Sequence, residues 1–136
     1  TLSNGTDTWK LTAGLFNQAT TVLTNGVTIE VDSNAAATAK CVCTKAGTAT
    51  TTDSGVTISA ATEYFWRINI TATSCQFWIK SNGGGALGNP VATITTNIPT
   101  NVGVTFAAGI GVRKSAGTTS RNAQFGYVLA YQRSEQ

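Results

Sequence analysis

Residues 64–80, YFWRINITATSCQFWIK, limit what this chain can fold into more than any other stretch. They hold two of the three tryptophans and two of the five phenylalanines, in two runs with a period of two. With Ala72-Thr73 as a two-residue turn, the runs pair as an antiparallel hairpin in a single register. Ile70 then meets Cys75, Ile68 meets Phe77 and Trp66 meets Ile79 on one side. On the other side Asn69 meets Gln76, Arg67 meets Trp78 and Phe65 meets Lys80. One face is apolar and the other polar with aromatics, as a half-buried strand pair requires. A slip of one residue drives Arg67 and Lys80 into the core, so the pairing is strongly specified. The Ala-Thr turn lacks the Asn-Gly or Gly-X chemistry of a tight hairpin, which leaves a longer loop with a bulge as the alternative.

The same alternation recurs along the chain. Trp9, Leu11, Ala13 and Leu15 mark a first strand, and Asn25-Gly26 is a turn signal before a strand over residues 27–32. Residues 36–44 read as a weaker strand around Cys41-Val42-Cys43. Residues 45–55, small and polar, read as a loop, with a short strand beginning at Val56 and Ile58. After the hairpin, residues 81–90 are the longest unpatterned segment. Residues 91–95 suggest a short edge strand closed by Ile98-Pro99. Val104, Phe106, Ala108 and Ile110 share one face of a strand within 102–112, and residues 114–122 read as a polar turn. Phe125, Tyr127, Leu129 and Tyr131 alternate in a final strand. No segment has helical periodicity, and there is no internal repeat. Nine or more short strands in one domain spanning residues 1–136 predict an all-β, two-sheet antiparallel sandwich without substantial helix.

Composition bears mainly on function. Charged residues make up only 11% of the chain against 41% hydrophobic, well below the roughly 25% usual for soluble domains. That balance suits short strands, and a protein flanked by neighbours in an assembly. The net charge of +3 is scattered and makes no basic block, so a nucleic-acid partner is not expected. No stretch reaches transmembrane length and no signal peptide is visible, so no membrane partner is expected either. The chain starts at Thr1 rather than Met, which reads as a processed or excised piece.

Catalytic chemistry has few candidates. There is no histidine, so His-based triads and ordinary general-base chemistry near neutral pH have no carrier. Glu30-Val31-Asp32-Ser33-Asn34 approaches the Glu-x-Asp-x-Glu strand of glycosidases, but Asn34 stands in place of the second Glu. A retaining mechanism needs carboxyl groups about 5–5.5 Å apart, whereas Glu30 and Asp32 on one strand lie roughly 6.5–7 Å apart. Two carboxylates on a solvated strand face explain the pattern, and the chain is not expected to be an enzyme. Gly83-Gly84-Gly85 lacks the Lys-Ser/Thr of a phosphate loop and reads as a flexible connector. Asn4-Gly5-Thr6 and Asn69-Ile70-Thr71 fit a glycosylation pattern only weakly. Six scattered acids suggest no Ca²⁺ site, and three cysteines without histidine suggest no zinc site, so neither a metal nor another cofactor is expected. Cys41, Cys43 and Cys75 read as buried free thiols, with a bridge from Cys75 to Cys41 or Cys43 as the alternative.

Four stretches carry a family resemblance: Asp-Ser-Gly-Val-x-Ile at residues 53–58, Tyr-Phe-Trp-Arg-Ile at 64–68 with Phe-Trp-Ile-Lys at 77–80, Val-Ala-Thr-Ile-Thr-Thr-Asn-Ile-Pro-Thr at 91–100, and Arg-Asn-Ala-Gln-Phe-Gly-Tyr-Val at 121–128. Their order resembles the concanavalin A-like jelly-roll domains of tailed-phage virion proteins. Gly126 stands where such domains usually carry Asp in their last strand. The resemblance implies a jelly-roll sandwich on the outer surface of a phage head or tail. It implies a capsid decoration or cement subunit, often a homotrimer, bound to virion proteins such as the major capsid protein. The alternative it implies is a tail-fibre or receptor-binding domain that recognises a host-surface glycan. The outward hairpin residues Phe65, Arg67, Asn69, Gln76 and Trp78 are the candidates for either contact. Arg67 across Trp78 forms a cation–π pair, and an aromatic-plus-Arg patch with few charges is the make-up of a protein interface.

Overall fold

The computed structural model of the chain describes residues 8–17, 23–33, 38–81, 85–100, 105–118, 124, 126 and 129. These residues contain eight strands and no helix: β1 (Thr8–Phe16), β2 (Gly26–Asp32), β3 (Thr38–Lys45), β4 (Thr48–Thr57), β5 (Tyr64–Ile70), β6 (Cys75–Ser81), β7 (Ala92–Ile94) and β8 (Ala107–Ala116). They form a five-stranded sheet in the order β4-β3-β2-β1-β8 and a three-stranded sheet in the order β5-β6-β7. Every pairing is antiparallel. β1 to β4 form a meander; the chain then builds the second sheet and returns to place β8 beside β1, a Greek-key connection.

The core lies between the sheets because alternate residues of both face inward. Val27, Ile29 and Val31 of β2 and Ala39, Cys41 and Cys43 of β3 meet Cys75, Phe77 and Ile79 of β6 and Ala92 and Ile94 of β7. Trp9, Leu11, Tyr64, Trp66, Ile68 and Ile70 pack at the margin. Phe77 is the largest fully buried side chain, and its burial alone contributes about 2–3 kcal/mol. Polar contacts fasten the sheets at the β4 and β7 edges. Thr50 and Thr96 hydroxyls are 2.8 Å apart, and Asn97 Nδ2 donates to Thr50 Oγ1 at 2.9 Å.

The hairpin β5–β6 has the register expected of it: Ile70↔Cys75, Ile68↔Phe77, Trp66↔Ile79, and on the other face Asn69↔Gln76, Arg67↔Trp78, Phe65↔Lys80. No bulge interrupts it. The turn over Ala72-Thr73 is closed by Thr71 rather than by glycine. Thr71 N donates to Ser74 O at 2.8 Å, and Thr71 Oγ1 accepts from Ser74 N at 3.0 Å and Thr73 N at 3.3 Å.

Two sequence expectations need correction. Residues 45–55 are not a loop: only Ala46-Gly47 turns, both at positive φ (49° and 81°), and β4 begins at Thr48. Thr50 and Thr52 occupy its inward positions opposite Cys43 and Cys41, so the strand alternates in direction without alternating in hydrophobicity. Residues 114–116 are not a turn, because β8 runs to Ala116 against Thr8 of β1. The turn signal Asn25-Gly26 falls where the β1–β2 connection ends and β2 begins. Asn25 is buried and bonds Asn17 and Ala46, tying the β1–β2 and β3–β4 connections together, while Gly26 already pairs with Phe16. The Asp53-Ser54-Gly55 motif is a bulge within β4, where Thr38 to Lys40 of β3 spans Asp53 to Thr57. Gly55 there has φ +70°, and its N–H donates to Asp53 Oδ1 at 2.8 Å. The expected strand over residues 125–131 lies almost wholly outside the described residues, as does Asn34.

Candidate functional site

All five candidate residues lie together on the outward face of the smaller sheet. β5 presents Phe65, Arg67 and Asn69, and β6 presents Gln76 and Trp78, cross-paired as described. They face outward because their neighbours in each strand fill the core, so the packing of Trp66, Ile68, Phe77 and Ile79 sets the orientation of the patch. The Arg67 guanidinium carbon sits 5.0 Å from the centroid of the Trp78 ring. That cation–π contact is worth about 0.5–1 kcal/mol at an exposed position. Asn69 Nδ2 donates weakly to Gln76 Oε1 at 3.4 Å, and Phe65 is 39% exposed.

Sequence reasoning left two parts of this surface out. Lys80, opposite Phe65, extends the patch to a second cation. The segment over residues 85–90 folds back onto β6, where Trp78 Nε1 donates to Gly88 O at 3.1 Å and Lys80 Nζ donates to Ala86 O at 3.1 Å. Gly85 and Gly88 adopt φ of 81° and 66° to present those carbonyls. A signal for this was available. An outward Trp and Lys two residues apart need acceptors, and a glycine-rich segment immediately downstream supplies backbone carbonyls.

The electrostatics of the two outer faces differ. β5, β6 and β7 contain no carboxylate, so the smaller sheet presents Arg67 and Lys80 among rings and amides. The larger sheet balances its charges in rows. Lys10 bonds Glu30 at 2.6 Å, Lys40 bonds Asp53, and Asp32 and Arg113 both stand opposite Lys10. The pairing with Lys40 and the Gly55 N–H hold the exposed Asp53 carboxyl below its usual range. Glu30 is thus held in an ion pair with Lys10 on this face. An open cleft of about 210 Å³ lined by Trp9, Lys10, Asp32, Arg113 and Ser115 contains one carboxylate beside two cations. Among the described residues no group of three His, Cys, Asp or Glu is placed to hold a metal ion.

A family model, the SO2946-like C-terminal domain, matches residues 1–124. The chain belongs to the SO2946-like C-terminal domain family. No curated protein and no solved structure matches the chain. The match takes in every strand among the described residues and all five patch residues.

Proposed function

We propose that this SO2946-like domain is a structural subunit of a bacteriophage particle, a capsid decoration or cement protein that docks through the outer face of β5–β6. The observation that carries the proposal is the composition of that face. It combines an Arg stacked on a Trp, a half-exposed Phe and a Lys with no acid, on a hairpin whose inner side is locked in the core. Arg and aromatic side chains are enriched where interfaces hold their binding energy. The absence of carboxylates from β5, β6 and β7, with the exposed Glu63 only at the margin before β5, suits a partner surface that supplies them, such as an acidic patch of the major capsid protein. The resemblance of the hairpin and its flanking motifs to jelly-roll virion domains supports the same reading, and with it a homotrimer on the particle exterior. A glycan-binding fibre domain receives less support. Trp78 has its Nε1 bonded to Gly88 O and one ring face under Arg67, which leaves less ring available for stacking on a sugar.

The test is co-sedimentation of the purified domain with heads of the phage that encodes it, after its own copies have been stripped. Wild type sediments with heads, and Trp78→Ala or Arg67→Glu weakens retention at least tenfold, about 1.4 kcal/mol. Retention on a glycan array that Trp78→Ala abolishes, with no binding to heads, overturns the proposal.

A further inference from the structure

Arg113 is exposed on β8, at the end of the larger sheet, cross-paired with Lys10 of β1, which pairs on its other side with Asp32 of β2. Like charges set directly opposite each other repel. Lys10 is matched by Glu30 at 2.6 Å, whereas no carboxylate among the described residues is within ion-pair reach of Arg113. Its edge position explains this, since among the described residues β8 has a neighbouring strand on one side only. Asp32 lies two strands away, roughly 9–10 Å at the backbone. The residues two before and two after Arg113 are Gly111 and Ser115, both small, and a Cβ on Gly111 would meet nothing within 4 Å. The guanidinium is therefore open to a ligand.

The ladder breaks beside it. Thr8 pairs with Ala116 and Trp9 with Lys114, which leaves Ser115 as an extra residue on β8. Neighbours on a regular strand point to opposite faces, yet here Trp9 and Lys10 both line the cleft of about 210 Å³, together with Asp32, Arg113 and Ser115. That volume is below the roughly 300–1,000 Å³ of sites for drug-sized ligands and suits a single ring. We propose that this cleft binds a carboxylate-bearing sugar residue, a uronic acid. The Arg113 fork takes the carboxylate through paired N–H donors, with Lys10 adding positive charge from across the ladder. Trp9 supplies an apolar wall for the C–H face of the ring. The Asp32 carboxylate and the Ser115 hydroxyl meet ring hydroxyls, for which both have lone pairs. Asp32 also repels a second negative charge, so the cleft favours a monoanion over a phosphate dianion. The site lies on the larger sheet and is independent of docking through β5–β6.

The test is a nuclear magnetic resonance titration of the uniformly ¹⁵N-labelled chain with methyl glucuronoside. Methyl glucoside, which lacks only the carboxylate, and acetate, which lacks the ring, are the controls. Saturable shifts of the Trp9 indole N–H and of the Gly111 and Ser115 amides are expected with the glucuronoside, and binding at least tenfold weaker with either control. Arg113→Gln should weaken glucuronoside binding at least tenfold, while Trp78→Ala on the opposite sheet leaves it unchanged. Arg113 is exposed at an edge, and the amide spectrum of each variant shows directly that it is folded. The absence of saturable shifts overturns the proposal. So does an equal response to methyl glucoside or acetate, or binding that survives Arg113→Gln.

Discussion

Single residues in this sandwich differ sharply in what they tolerate, and two glycines illustrate it. A Cβ on Gly14 would stand 2.2 Å from the Val27 carbonyl oxygen, at a φ of +147°. A Cβ on Gly47 would meet nothing within 4 Å, with only its φ of +81° against it. Gly14→Ala is therefore expected to cost about 3 kcal/mol and Gly47→Ala about 1 kcal/mol, both measured by urea unfolding. Cys41 has a different consequence. Burial, and secondarily Asp53, push its thiol from 9.0 up to about 12. A raised thiol favours the folded state while it is protonated. Its contribution is complete below pH 9 and is lost as pH rises from 9 towards 12, because the unfolded chain ionises first. In reducing buffer, Cys41→Ala should flatten the fall of the urea midpoint over that window; an unchanged slope refutes the assignment.

Among the elements, the hairpin was the most legible in the sequence, down to each cross-strand pair. Its two faces differ in polarity, and Arg67 and Lys80 penalise any other register. The patch was legible for the same reason, since outward positions follow once inward ones are known. β4 was not, because Thr50 and Thr52 take inward places while Ser54 is buried beside a bulge, leaving no alternation of hydrophobicity to read. Thr has strand propensity, yet a Thr-rich run resembles a loop until hydroxyl partners such as Thr96 are known. The contribution of Lys80 and the 85–90 segment was hidden for a related reason: backbone carbonyls carry no sequence signature. The turn at Ala72-Thr73 makes a direct test. Thr71→Ala removes the acceptor of two backbone N–H groups and should lower stability by about 1 kcal/mol. Asn-Gly in place of Ala72-Thr73 in that variant should restore it, measured by thermal unfolding.

For the molecule as a whole, the proposed trimer gives a direct expectation. Light scattering on the eluting peak should report about 42 kDa, three chains of 14.1 kDa; a 14.1 kDa species would confine the domain to docking one copy at a time. The uneven distribution of charge has a consequence beyond affinity. One broad side is cationic and aromatic, while the other is already neutralised in rows. If the domain docks as proposed, the side left facing outward has its carboxylates already matched by lysines, so adjacent copies on a particle would have little charge left with which to stick to one another.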